Sequence, residues 1–150
     1  MSAAQIRLLD PASSDDVDAL AGLRAVTHGQ EPDEVFVAQL TGWLRTEGAS
    51  RRTWLAEVDG AAVGYVSALL YWRMPSVTRH SSGWAYLGNL FVHPEHRGKG
   101  NGVALVGAVT DWAHELGLKR VVLSPSELSI PMYERLGFRA ADELVILPLD

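Results

Sequence analysis

The sequence predicts an α/β protein, mixed α+β in layout, with a central mixed sheet carrying helices on both faces. Three observations lead there. Asp59-Gly60 separates two β-rich runs, Thr53 to Val58 and Ala62 to Trp72, and that dipeptide is a strong short hairpin signal, so the two runs pair antiparallel. An apolar helical stripe separates the strand Trp84 to Val92 from the strand Lys119 to Leu123, which makes a right-handed crossover between parallel strands. Two further helical stripes precede the hairpin.

In chain order, Gln5 to Leu9 reads as a short strand. Pro11 to Ser14 then opens a helix with Asp15 and Asp16 in its first turn, where acids favour the helix dipole. Val17, Leu20, Leu23 and Val26 recur at helical spacing and Gly29 stops the run; a second helix, Pro32 to Glu47, carries Val35, Phe36, Leu40, Trp43 and Leu44 and ends at Gly48. After the hairpin, Met74 to Gly83 reads as an exposed loop. The strand Trp84 to Val92 holds Gly88-Asn89 in its middle, where a glycine marks a bulge or the close approach of another backbone. Leu105, Val106, Val109, Trp112, Ala113 and Leu116 form the next stripe, closed by Gly117. Pro125 to Leu136 holds a short helix whose N-cap lies near Ser129, because Pro131 is tolerated only in a first turn. Glu143 to Leu149 reads as a final strand.

Composition bounds the function. The 150 residues form a single expected domain, 1–150, with 47% hydrophobic and 21% charged residues. No apolar run approaches the roughly 20 residues of a membrane span, and the first five residues lack the basic flank and apolar core of a signal peptide, so the expected location is cytoplasmic. There is no cysteine, which removes disulfides, thiolate metal sites and cysteine nucleophiles together. A net charge of −5 argues against nucleic-acid binding. Seven acids against one base, Arg24, between Asp10 and Glu34 favour a cationic partner there. His93 and His96 straddle Pro94 with no third ligand near in sequence, so no metal is expected.

The most informative stretch is His96-Arg97-Gly98-Lys99-Gly100-Asn101-Gly102, three alternate glycines among basic residues at the start of a helix. Bare backbone N–H groups at a helix N-terminus suit an anion. A nucleoside triphosphate loop needs Ser or Thr after GxxxxGK, and Gly100 follows Lys99; a dinucleotide fingerprint needs GxGxxG, and the spacing here is two and two. A pyrophosphate held by backbone N–H groups, with Arg97 and Lys99 adding charge, remains.

Leu90-Phe91-Val92 through Gly102 resembles the acetyl-coenzyme A loop of the GNAT family of N-acetyltransferases, whose pattern is Gln or Arg, two residues, Gly, one residue, Gly or Ala; Arg97, Gly100 and Gly102 match it. Ser126 through Phe138 is similar to the family's second signature, which ends in Tyr, three residues, Gly-Phe. The resemblance implies acetyl-CoA as cosubstrate, no metal, and a partly splayed sheet. It also implies that pantetheine would lie between the strand ending Leu90-Phe91-Val92 and the strand Val121-Val122-Leu123, with pyrophosphate on Gly98, Lys99, Gly100, Asn101 and Gly102. Tyr133 takes the place of the acid that protonates the leaving thiolate. Ser126 and Ser129 stand where many relatives carry Asn and Ala, and their hydroxyls retain the ability to bond the cofactor.

No acid occurs from Tyr86 to Asn89, where relatives with a carboxylate base carry it, so no base is assigned. Glu31, Asp33 and Glu34, in the connection that commonly walls the acceptor site, are candidates to attract a cationic amine, with Tyr86 nearby; their other reading is an acidic helix start. Trp72 and Trp84, flanking the Met74 to Gly83 loop, are core residues or acceptor-site walls. The implied reaction is direct transfer of an acetyl group to a small-molecule or peptide amine in a ternary complex. The alternative is a non-catalytic acetyl-CoA sensor or partner module of the same fold. Family habit points to a homodimer.

Overall fold

The computed structural model describes residues 3–78 and 82–149. His80 and the adjoining part of the expected loop lie outside the described residues. Five strands form one sheet in the order β1-β2-β3-β4-β5: β1 (Gln5–Leu8), β2 (Arg51–Val58), β3 (Ala61–Trp72), β4 (Gly83–Val92) and β5 (Val121–Leu123). The first four run antiparallel to their neighbours, and β5 runs parallel to β4, so the sheet is mixed as expected. Among the described residues, no helix is long and apolar enough to cross a membrane.

At the β2–β3 hairpin Asp59 and Gly60 have φ of 52° and 82°, the two positive values that a two-residue turn needs to match strand twist. Helices α1 (Ser14–Val26) and α2 (Glu34–Glu47) cover one face. There Leu20, Leu23, Leu40 and Leu44 pack with Leu55, Tyr65 and Phe91. Helices α3 (Asn101–Glu115) and α4 (Ile130–Arg135) cover the other, where Leu105, Val106, Val109 and Tyr133 pack with Val66, Ala68 and Leu87.

The starts of α1 and α2 follow side-chain caps. Ser13 Oγ accepts from the Asp16 N–H at 3.2 Å and Asp33 Oδ1 from the Phe36 N–H at 2.8 Å. The second cap moves the start of α2 from the expected Pro32 to Glu34. A polar clamp fastens α1 to the sheet edge. Arg7 donates to both oxygens of buried Asp16, at 2.6 and 2.9 Å, and through Nε to Glu57; the Asp10 N–H donates to Asp16 at 2.8 Å. These hydrogen bonds, Arg7 first, hold the Asp16 carboxyl below the usual carboxylate range.

The expected final strand is corrected. Glu143 to Leu149 pairs with nothing, and Val145, Ile146, Leu147 and Leu149 are 95, 89, 80 and 92% exposed. Its composition suits a strand, but β5 has only three residues and this chain lays no neighbour along its outer edge. The short helix is likewise split, a 3-10 turn at Glu127–Ser129 preceding α4.

Candidate functional site

The site begins where the sheet comes apart. The β4–β5 ladder runs Ala85↔Val121, Tyr86↔Val122, Leu87↔Leu123 and stops, so from Gly88 to Val92 β4 has no strand on that side. At the same level the β3–β4 ladder passes from Ser67↔Asn89 to Ala68↔Leu87 and leaves Gly88 as an extra residue, a bulge. Tyr86 sits at the point of the V, and its hydroxyl meets Ser124 Oγ at 3.4 Å just beyond β5. Leu90 and Val92 belong to the cluster on the α3 side, and Phe91 to the cluster on the α1 side.

Below the V the chain turns into the glycine loop. The His93 N–H donates to Val63 O at 2.7 Å, and a 3-10 turn, Pro94–His96, follows. Arg97 Nε donates to Val92 O at 2.8 Å, and buried Asn101 donates to His96 O at 2.9 Å. Asn101 thus uses its side-chain amide to brace the loop and leaves its backbone N–H, the group expected on the cofactor, among the loop's donors, and Arg97 uses one of its donors while its terminal nitrogens stay available. Gly98 and Gly100 have φ of +75° and +86°, with Gly100 as the N-cap of α3. The first helical bond is Ala104 N–H to Gly100 O, and among the described residues none accepts a hydrogen bond from the six backbone N–H groups from Gly98 to Val103. Six such donors at the positive end of a 15-residue helix, with exposed Arg97 and Lys99 alongside, make a cradle for an anion that fits a pyrophosphate.

The second motif arrives from β5. Ser126 Oγ bonds Ser129 Oγ at 3.0 Å, and Ser129 Oγ donates back to Ser126 O at 2.9 Å. Ser129 holds the N-cap position expected of it, but its hydroxyl caps nothing; it ties the turn that launches α4. Tyr133 is 7% exposed, edge-on to Phe138 with ring centroids 5.4 Å apart, in the cluster that gathers Leu87 and Val92 of β4 with Val121 and Leu123 of β5. Burial pushes its phenol above the ordinary value, so the group stays protonated at neutral pH.

On the opposite face, between α1, α2 and the bulge, lies a cavity of about 300 Å³. Ser67 and Asn89 form its floor at the bulge, and Phe36, Gln39, Trp43 and Tyr65 wall it. Among the described residues Arg24 is the one charged residue in the lining, and it donates to Tyr65 Oη at 2.9 Å. A second guanidinium stands close: Arg51 lies over the Trp43 ring, 4.7 Å from its centroid, and its Nη1 is 3.9 Å from where a Gly88 Cβ would be. Arg51 Nε is buried without a hydrogen-bond partner, its nearest carboxylate being Glu47 at 3.9 Å.

Glu31 and Glu34 are exposed and line no part of this cavity, and Asp33 is the α2 cap. The structure therefore does not bring the expected acidic residues to the site, and Tyr86 is at the V rather than in the cavity. Trp84 is stacked on Tyr71 with centroids 5.0 Å apart and covered by Arg120, and Trp72 is 47% exposed; neither reaches the cavity. The residues that sequence reasoning missed are Arg24, Gln39 and Trp43. Arg24 follows Leu20 by one helical turn, so a charge on the buried stripe was the available signal. Among the described residues no group of three His, Asp or Glu could hold a metal.

A splayed pair of parallel strands, a helix N-terminus with open N–H donors between them and a buried tyrosine are thus brought together beside the open stretch of β4. A model of the acetyltransferase (GNAT) family matches residues 17–138, and the chain belongs to that family. It is 29% identical over 145 residues, 97% of this chain and 95% of the relative, to a glucosamine 6-phosphate N-acetyltransferase of Trypanosoma brucei brucei. A crystal structure of a Trypanosoma brucei acetyltransferase superposes with a TM-score of 0.71 at 28% identity, covering 97% of this chain and 99% of that one. A predicted acetyltransferase of Clostridium acetobutylicum, solved with acetyl-CoA, shares the fold at 20% identity and a TM-score of 0.73, covering 97% and 96%.

Proposed function

We propose that the chain is an acetyl-CoA-dependent N-acetyltransferase that acts by direct attack of a primary amine in a ternary complex, and that its acceptor carries an anionic group. The observation that carries the first part is the run of six N–H donors, Gly98 to Val103, beside the splay. Backbone N–H groups of the unpaired β4 segment, near Leu90 and Val92, are suited to hold pantetheine and polarise the thioester carbonyl. The amine nitrogen forms a bond to the carbonyl carbon and the carbon–sulfur bond breaks. Tyr133 donates its phenolic proton to the departing thiolate. The amine's own proton leaves through water, since no carboxylate lines the cavity.

The second part rests on Arg24. An amine of ordinary pKa near 10 arrives as a cation, and a wall whose one charge is positive does not attract a plain cation. It suits an acceptor whose phosphate or carboxylate meets the guanidinium while its amine points toward the bulge. The glucosamine 6-phosphate specificity of the trypanosomal relative is of that class.

The lack of a carboxylate favours one other reading, a non-catalytic acetyl-CoA-binding module. Calorimetric titration with acetyl-CoA followed by thiol release with glucosamine 6-phosphate, glucosamine and aliphatic diamines separates them. Micromolar binding with turnover on the phosphorylated amine supports the proposal. Tight binding with no turnover on any amine supports the module, and no binding at millimolar acetyl-CoA overturns both.

A further inference from the structure

The row that crosses the sheet beside the bulge is polar. Thr53, Ser67 and Asn89 stand in register on β2, β3 and β4. One row along on the same face, Leu55, Tyr65 and Phe91 are core. Thr53 and Ser67 are as buried as that core, at 6 and 4% exposed, and among the described residues each hydroxyl makes one hydrogen bond, Thr53 Oγ1 to Ser67 Oγ at 3.4 Å. That is long for a hydroxyl pair, so it offsets little of the cost of burying both. Val and Ala would fill similar space without that cost, so packing gives no reason for these residue types.

The row also joins two cavities. Thr53, Ser67 and Asn89 line the one between α1, α2 and the bulge, and Thr53 lines a second as well, of about 250 Å³, where the end of α2 meets the start of β2. A space of that size holds several waters. Among the described residues Glu47 is the one carboxylate in the second lining, its side chain 34% exposed. The titratable and charged groups that face the row are Arg24 and Tyr65 in the first cavity, Arg51 and Tyr86 around Gly88, and Glu47 and Arg52 in the second. A cationic amine that fills the first cavity blocks the way it came, so the proton it loses before attack needs a separate path.

We propose that Ser67 and Thr53 are the proton exit for the acceptor amine, with Asn89 orienting the ammonium over Ser67, an assignment that rests on the acetyltransferase reading above. One ammonium proton passes to Ser67 Oγ as the Ser67 proton passes to Thr53 Oγ1, and the Thr53 proton passes to water in the second cavity, beside Glu47, and on to solvent. Either hydroxyl can donate to the other, since each rotates and is donor and acceptor at once; both end neutral and turn back. The nitrogen keeps its electron pair and attacks. Its second proton, lost after attack, balances the one that Tyr133 gives to sulfur. An amine that enters neutral has no first proton to lose, so the exit matters only below the pKa of the amine.

Ser67→Ala and Thr53→Val test it, each removing one hydroxyl from the core. In the thiol-release assay kcat is read from about pH 6 to 10, with glucosamine 6-phosphate, glucosamine and an aliphatic diamine as acceptors. Below the pKa of the amine each variant should be roughly 10-fold slower than the parent, and above it the deficit should shrink to less than about threefold. The double variant should be no slower than either single one, because the two links act in series. Thr53→Ser keeps the hydroxyl and should stay within about threefold of the parent at every pH, and the calorimetric affinity for acetyl-CoA should be unchanged in all four proteins. A deficit that is absent, that is the same at every pH or that multiplies in the double variant overturns the proton exit alone. A parent without turnover on any of the amines overturns the acetyltransferase reading and the exit with it.

Discussion

Gly100→Val tests the anion cradle where its geometry is most demanding. Gly100 caps α3 at φ +86° and ψ 5°. A Cβ there would meet nothing within 4 Å, so the obstacle is the backbone conformation and not space. A left-handed conformation costs an L-residue about 1–2 kcal/mol, and a β-branched one avoids it almost entirely. The loop must then turn its peptides, and the N–H groups around Gly100 no longer converge. Losing two hydrogen bonds to a charged phosphate, at about 1.5 kcal/mol each, weakens binding roughly 10²-fold. Gly107→Ala is the control: it lies in the same helix, its Cβ would also meet nothing within 4 Å, and its φ is not positive. That change should stabilise the helix by about 0.5–1 kcal/mol and leave binding unchanged. Calorimetric titration with acetyl-CoA and thermal melts read both. A folded Gly100→Val protein that binds acetyl-CoA within threefold of the parent would refute the assignment of this loop to the cofactor.

Three further outcomes are expected. Tyr133→Phe lowers kcat roughly 10²-fold in a thiol-release assay with little change in acetyl-CoA affinity; because burial raises the phenol, the parent keeps its acid form past pH 10 before activity falls, and unchanged turnover removes Tyr133 from the mechanism. Arg24→Gln raises KM at least tenfold for an amine bearing phosphate and by less than threefold for a neutral analogue, and equal effects on both would assign Arg24 to packing against Tyr65. Asp16→Asn lowers stability at pH 7 by about 2 kcal/mol, a value reduced from that of a fully buried pair because Arg7 is 37% exposed. Since the folded-state pKa of Asp16 is depressed, its contribution is complete above about pH 4 and fades as pH falls through the lower folded value. Melts of parent and variant should therefore converge toward pH 2, and a gap that persists there would contradict the linkage.

The parts legible in the sequence are those fixed by local chemistry. Asp59-Gly60 could only be a tight hairpin, Gly88 inside a strand did mark a bulge, and the glycine loop did open α3. What escaped was set by pairing across the fold. Of the two readings of the acidic cluster, acceptor wall or acidic helix start, Asp33 takes the second as a cap and Glu31 and Glu34 are exposed, while Arg24, a lone base among acids, turns inward with Leu20 on the helix face it shares. The side chains of Asn101 and Ser129 have a second task that the motifs do not announce, holding the loop and the turn in shape. The final strand was misplaced for another reason: composition reports that a segment wants a partner, and not whether the partner lies in the same chain.

The bulge explains how a cavity on one face of the sheet can serve a cleft that opens toward the other. A regular strand is a wall, its side chains alternating strictly between faces. The extra residue at Gly88 shifts that alternation, so that Asn89 joins the cavity between α1, α2 and the bulge while Leu90 and Val92 pack on the α3 side and Phe91 on the α1 side. A Cβ at Gly88 would sit 3.8–3.9 Å from Tyr86, Arg51 and Ser67, an ordinary packing distance, so folding does not demand the glycine. The bare position instead leaves backbone alone between Asn89, at the cavity, and Leu87, in the cluster on the α3 side. The proposed direct transfer would use that thinness, because amine and thioester must come within about 3–3.5 Å of each other while each stays held by its own side of the sheet.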